Sequence, residues 1–202
     1  MNLLAHAILS PNRPLVRIGN VAADFMSRPE EQSATGDLAE GIRLHKQIDS
    51  FTDNHPVVQR AIHRLTGYQR FANPIVDVFF DHFLVKHWPL TEPVEIFVQT
   101  LRSELLENLH LLPTNSQLIL RRMIQDEWLL SYSDFHGLRT TFGRMEKRIL
   151  HRSRREVDMA GSVALLEANY SDFEQDFEEF WPQLVTEISE GKWRTGWDSN
   201  PR

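Results

Sequence analysis

The sequence predicts an all-α protein, a single-domain helical bundle of about seven to nine helices. Three observations carry that expectation. In 95–112 the residues Phe97, Val98, Leu101, Leu105, Leu109 and Leu112 recur at three and four, as do Leu120, Met123, Ile124 and Trp128 in 117–130; that is the period of a helix with one apolar face. Alternating Val/Ile/Thr runs bounded by Asn-Gly or Asp-Gly turns, the signature of strands, are absent. The 202 residues are 41% hydrophobic, with 12 Phe and 5 Trp, enough for one core at roughly 100–200 residues per domain.

The elements follow in chain order. Helices are expected at 2–9, 14–26, 37–52, 56–66, 74–87, 92–110, 115–131 and 134–150, with one or two more inside 160–190. Asp37 with Glu40 marks a start, because the Asp37 oxygen can take an orphan amide and both acids suit the positive helix end. Asn54-His55-Pro56 ends that helix. Asn73-Pro74 reads as an N-cap followed by proline at the first helical position. Trp88-Pro89 and Pro113 are stops, and Ser171 with Glu174 reads as a capping box. The helical domain is expected to span 1–190. The remainder, 191–202, has no periodicity and is expected to be a disordered tail.

Composition excludes several classes. Without cysteine there are no disulfides, thiol nucleophiles or thiolate-bound metals. No apolar run approaches the ~18 residues of a membrane span, and Met1-Asn2-Leu3-Leu4-Ala5-His6 lacks the basic start of a secretory signal. A cytoplasmic protein with no membrane partner is expected. The net charge of −6 argues against general nucleic-acid binding. Phosphate-loop, dinucleotide, nucleophile-elbow and His-Glu-x-x-His motifs are missing.

What remains is a pattern of histidines and aspartates. His45 and Asp49 are four apart on one helix, so they share a face, and Asp53 continues the stripe. Asp77 and Asp81 repeat that spacing, with His82 next to Asp81, inside a segment rich in Val and Phe. Asp24 and His6 also sit in apolar surroundings. A helix apolar nearly all round is a central one, and buried acids or histidines are costly unless paired or bound to a metal. Imidazole plus carboxylate without thiolate suits Mn, Mg or Fe rather than structural zinc. Each pair taken alone is more often a helix-stabilising contact, and His6 alone a core histidine; the convergence favours a metal.

The segments Met1-Asn2-Leu3-Leu4-Ala5-His6, Gly19-Asn20, Ala23-Asp24-Phe25, Gly41-Ile42-x-x-His45-x-x-Ile48-Asp49-x-x-Thr52-Asp53 and Asp81-His82-Phe83-Leu84 closely resemble the bacterial acyl carrier protein phosphodiesterases. Glu127-Trp128-Leu129 and the ending Phe177-x-x-Phe180-Trp181-Pro182 are similar too. The resemblance implies a helical fold distantly related to the HD-domain metal phosphohydrolases, though Asp81-His82 reverses the usual His-Asp order. It also implies a Mn-dependent hydrolase that removes 4′-phosphopantetheine from the serine of holo-acyl carrier protein. The expected ligands are Asp24, His45, Asp49 and Asp81, with Asp77 and Asp53 in reach of a second metal. The metal would activate a water, and His82 or His6 would protonate the departing serine oxygen. Other readings are an HD-type phosphohydrolase acting on a nucleotide, and a non-catalytic helical binding module.

Charge supplies one further expectation. Stretch 139–155 holds seven Lys and Arg against the single acid Glu146, while 156–190 holds ten acids and no Lys or Arg. Carrier proteins are small and acidic, so Arg144, Lys147, Arg148, Arg152 and Arg155 are expected to form the docking face. The alternative is that the basic stretch pairs internally with 156–190.

Overall fold

The computed structural model describes residues 3–126, 128–154 and 156–190. Among them are eleven α-helices and no strand. In order they are α1 (Leu3–Leu9), α2 (Pro14–Ala22), α3 (Arg28–Ser33), α4 (Gly36–Asn54), α5 (Pro56–Arg64), α6 (Ala72–Lys86), α7 (Val94–Asn108), α8 (Thr114–Gln125), α9 (Phe135–Ser153), α10 (Val163–Ala168) and α11 (Tyr170–Ser189). Short 3-10 turns extend α2 at Ala23–Phe25 and fill Trp128–Ser133. The expected tail 191–202, Arg155 and the Arg152 side chain lie outside the described residues.

The added helix α3 and the division of 160–190 into α10 and α11 raise the count above the expected seven to nine. The segment 115–131 divides into α8 and the 3-10 turn that begins at Trp128. The extra helix α3 is opened by a capping box in which the Ser27 amide donates to Glu30 Oε2 at 2.6 Å. Three expected caps sit elsewhere. Asp37 lies within the first turn of α4 and pairs with Arg13. Helix α6 begins at Ala72, ahead of Asn73, directly after a 3-10 turn. Helix α11 begins at Tyr170, and Glu174 pairs with His87 at 2.8 Å instead of closing a box on Ser171.

Helix α6 runs through the core, with Ile75, Val76, Val78, Phe79, Phe80, Phe83 and Leu84 all buried. Phe79 meets Phe142 of α9 and Phe173 of α11 edge-on, and Phe80 meets Phe177. Such ring pairs add specificity to apolar burial. The buried residues from Leu3 to Ile188 form one continuous cluster. None of the described helices is long and apolar enough to cross a membrane.

The contact that matters most for the site is between α2 and α4. A Cβ added at Gly41 would strike the Val16 carbonyl and stand 2.7 Å from the Asn20 amide nitrogen. Gly19 faces it, with its own added Cβ blocked by the Leu38 carbonyl. Only paired glycines let the two backbones come this close. Gly41→Ala is therefore expected to lower the melting temperature, with an overpacking cost of about 1–3 kcal/mol or more. An unchanged Tm would show that the helices separate freely.

Candidate metal centre

Four side chains from three stretches of chain meet beside that glycine contact. His6 comes from α1, Asp24 from the turn after α2, and His45 and Asp49 from successive turns of α4. His45 Nε2 lies 3.0 Å from Asp49 Oδ2 and 3.3 Å from Asp24 Oδ1. His6 Nε2 lies 3.1 Å from Asp49 Oδ1. The imidazoles stack with centroids 4.2 Å apart, so both Nε2 atoms reach one carboxylate. The histidines are buried, whereas the Asp49 and Asp24 side chains are 37% and 49% exposed. The cluster opens to solvent on its acidic side.

Asn20 of α2 sets both rings. Its backbone carbonyl can only accept, so the 2.8 Å contact with His45 Nδ1 makes that nitrogen the donor. Its side-chain nitrogen donates to the His6 carbonyl at 2.8 Å and to Ser10 Oγ at 2.9 Å, which fixes the amide orientation. Asn20 Oδ1 therefore accepts from His6 Nδ1 at 2.8 Å. Both rings carry a proton on Nδ1, so in the neutral imidazoles the Nε2 lone pairs face carboxylate oxygens.

Lone pairs facing oxygen at this distance need positive charge between them. Burial alone would lower the His45 pKa, but the Asp24 and Asp49 carboxylates override it and push it up to about 10. The metal-free protein thus carries a His45 imidazolium at neutral pH. Its stabilising share is complete below the unfolded value of 6.5 and fades as pH rises through about 10. Burial lowers the His6 pKa, with the Asp49 contact offsetting only part of the effect. Burial would raise Asp49, yet its contacts to His45 and His6 hold it well below the usual carboxylate range. Asp24 is held down by His45 against the same opposing burial.

The other candidate residues fall elsewhere. The Asp81 carboxylate accepts the Leu4 amide at 3.1 Å, at the start of α1, and burial pushes its pKa up to about 8. It holds the helix that carries His6; the structure does not bring it to the four-residue cluster. Asp77 has its pKa raised, by burial first and then by the charges of Asp49 and Asp53; it is half-buried on α6, one turn before Asp81. Asp53 is exposed one turn beyond Asp49. His82 is not brought there either. Its Nδ1 donates to the Tyr132 carbonyl at 2.7 Å, and its Nε2 is 3.1 Å from the Tyr170 hydroxyl, in a separate cleft with Lys86 and Glu174.

Among the described residues the basic and acidic stretches meet in the Arg139–Glu167 pair, and acids of α11 also turn to α5 and to the end of α6. Asp176 of α11, 1% exposed, is gripped by Arg60 Nε at 2.6 Å and by Arg64, both of α5. Arg60 also reaches Glu179 at 2.5 Å. From α9, Arg139 pairs with Glu167 and Arg144 lies 3.7 Å from Asp126. Lys147 is exposed. The Arg148 guanidinium lies 5.9 Å over the ring of Phe25, the residue after Asp24. The basic helix thus reaches the residue next to Asp24.

The model of the family described as acyl carrier protein phosphodiesterase matches residues 1–184. The chain belongs to the acyl carrier protein phosphodiesterase family. Relatives of that name come from Photorhabdus laumondii (31% identical, covering 92% of this chain and 93% of the relative) and Pectobacterium atrosepticum (30%, covering 92% and 96%). Another, from Escherichia coli O157:H7, is 31% identical and covers 94% of this chain and 98% of its own. No solved structure matches the chain.

For this family member the donor set fits a divalent cation. Ligand atoms of His6, His45 and Asp49 lie within 4.8 Å of one another, with Asp24 Oδ1 adjacent to His45. Two imidazole nitrogens and carboxylate oxygens suit Mn, Fe or Mg more than a thiophilic ion. Outer partners that fix a ligand's tautomer are part of such a site, and Asn20 is one. Sequence reasoning assigned Asn20 no role. In the sequence it stands in the Gly19-Asn20 step that carries part of the family resemblance, on a helix whose other polar side chain is Arg17.

Proposed function

We propose that this protein is a metal-dependent phosphodiesterase that removes 4′-phosphopantetheine from the serine of holo-acyl carrier protein. Water adds across the phosphodiester, giving apo-carrier protein with a free serine hydroxyl and released 4′-phosphopantetheine. The observation that carries the reading is the His6, His45, Asp49 and Asp24 cluster with both imidazole tautomers set by Asn20. Family membership supplies the substrate class. We place the reaction in the cytoplasm, with Mn as the favoured ion.

When bound by these four residues, a divalent ion supplies Lewis acidity toward phosphate oxygens and a water of lowered pKa. The chain's own residues do the rest. Asn20 holds the two imidazoles so that their Nε2 atoms stay available. Asp49 bridges both rings through its two oxygens. Asp24 and Asp49 form the solvent-facing side, where a phosphodiester on a protein surface can approach.

The test is mass spectrometry of holo-carrier protein before and after incubation. Loss of the phosphopantetheine mass with Mn, none after exhaustive chelation, and recovery on adding Mn back are expected. Full activity after chelation would overturn metal dependence. An unchanged carrier-protein mass under all conditions would overturn the substrate.

The basic face of α9 supports docking of the acidic partner, because Arg148 lies over Phe25, the residue after Asp24, while Asp176 and Glu179 of α11 are engaged by α5. Such charges steer association and are screened over about 8 Å at physiological salt. Lys147→Glu with Arg148→Glu is expected to raise KM for holo-carrier protein several-fold with kcat nearly unchanged. In the wild type KM should climb with salt. A lowered Tm with unmoved KM would assign these residues to folding instead.

A further inference from the structure

An apolar cavity of about 200 Å³ lies between α7, α8 and the 128–133 turn. Val98, Leu105, Leu120, Met123 and Ile124 wall it, and it reaches Leu3 of α1 and Val21 of α2. Those last two contacts place it against the elements of the metal centre. Leu3 precedes His6 by three residues on α1, and Val21 follows Asn20 and precedes Asp24 by three. Glu95, Gln99 and Arg102 add polar groups from α7.

The pocket is partly open to solvent along α7, where Glu95, Gln99 and Arg102 are exposed, and a concave, mainly apolar lining of this kind suits a ligand that enters from solvent. An apolar cavity of about 150 Å³ takes a six-carbon ring; by the same scale this one takes roughly six to eight carbons. The lining decides the chemistry. The pantetheine arm carries two amides, which would lose their hydrogen bonds against Leu, Val, Met and Ile walls. A saturated hydrocarbon chain has nothing to lose there and gains by leaving water.

We propose that this cavity is an acyl-chain subsite, taking roughly the last six to eight carbons of an aliphatic acyl group carried on the pantetheine arm. This rests on the reading that a phosphopantetheine-bearing carrier protein is the substrate. Acylated carrier protein is then a better substrate than the free-thiol form, and chains that outgrow the cavity lose that advantage.

The test uses two ligands without a phosphodiester, pantetheine and S-octanoyl-pantetheine, titrated against the full chain by calorimetry. The octanoyl compound is expected to bind at least tenfold more tightly. Val98→Phe fills the cavity and is expected to erase that difference while keeping Tm at or above the wild-type value. Ile124→Phe, from the opposite helix, serves as the second variant. Equal binding of the two ligands to the wild type would overturn the subsite, as would an octanoyl advantage that survives in both folded variants. Because no bond is cleaved, a protein that binds the octanoyl chain but leaves holo-carrier protein intact would keep the subsite and overturn only the reaction.

Discussion

Asp49→Asn is expected to abolish divalent-metal binding and to lower phosphodiesterase turnover by roughly a hundredfold or more, a loss at least as large as removing an outer partner of a metal site. Asp49 is the residue on which the site converges: one oxygen meets His6 and the other meets His45. The amide keeps the shape but replaces a charged oxygen with a donor, so it no longer offsets a cation. The same substitution has a readout independent of activity. In the metal-free wild type, His45 is protonated at neutral pH because Asp49 and Asp24 push its pKa up to about 10. Removing one of those carboxylates moves the imidazole titration downward, which ring-proton NMR of the metal-free protein measures. Wild-type turnover together with an unmoved His45 titration would remove Asp49 from the site. A lowered pKa with full turnover would leave the pair structural.

Asn20→Ala should lower metal affinity about 10- to 100-fold, the usual effect of losing an outer partner that orients a ligand. The loss is asymmetric. His45 keeps its acceptor, which is the backbone carbonyl of residue 20. His6 loses the Asn20 Oδ1 that fixes its tautomer, and the His6 carbonyl and Ser10 Oγ lose a donor. Orphaning buried polar groups of this kind costs about 1–3 kcal/mol, so a fall in Tm should accompany the loss. Isothermal titration with Mn and a thermal melt on the same variant check both. Unchanged affinity with a reduced Tm would make Asn20 a purely structural amide.

Much of the helical order was legible because helix formation follows local periodicity. The apolar stripes fixed α7 and α8, and the all-apolar surroundings of Asp77–Leu84 correctly marked α6 as central. Helix ends were less legible. Asp37, Asn73 and Ser171 carry the chemistry of caps, yet none serves as one, because Arg13, the preceding 3-10 turn and His87 compete for the same groups or backbone. At Ser27 the local chemistry met no competitor, and the box formed. The charge blocks show the same division. Sequence alone left the basic and acidic stretches free to pair; the structure joins Arg139 to Glu167 and gives Asp176 and Glu179 of α11 to Arg60 and Arg64.

The sequence by itself determined that His45 and Asp49 share a helical face, since four residues make one turn whatever surrounds them. It also determined which residue types were available, and so an oxygen and nitrogen donor set without thiolate. Tertiary structure decided which of the remaining candidates join them. His6 is 39 positions from His45 in the chain, and Asn20 touches both. Their meeting depends on α2 and α4 approaching through Gly19 and Gly41. Asp81, on the same central helix as Asp77, turns instead to the first amides of α1. A buried carboxylate accepts whichever donor the fold brings to it, and no spacing along one helix encodes that choice.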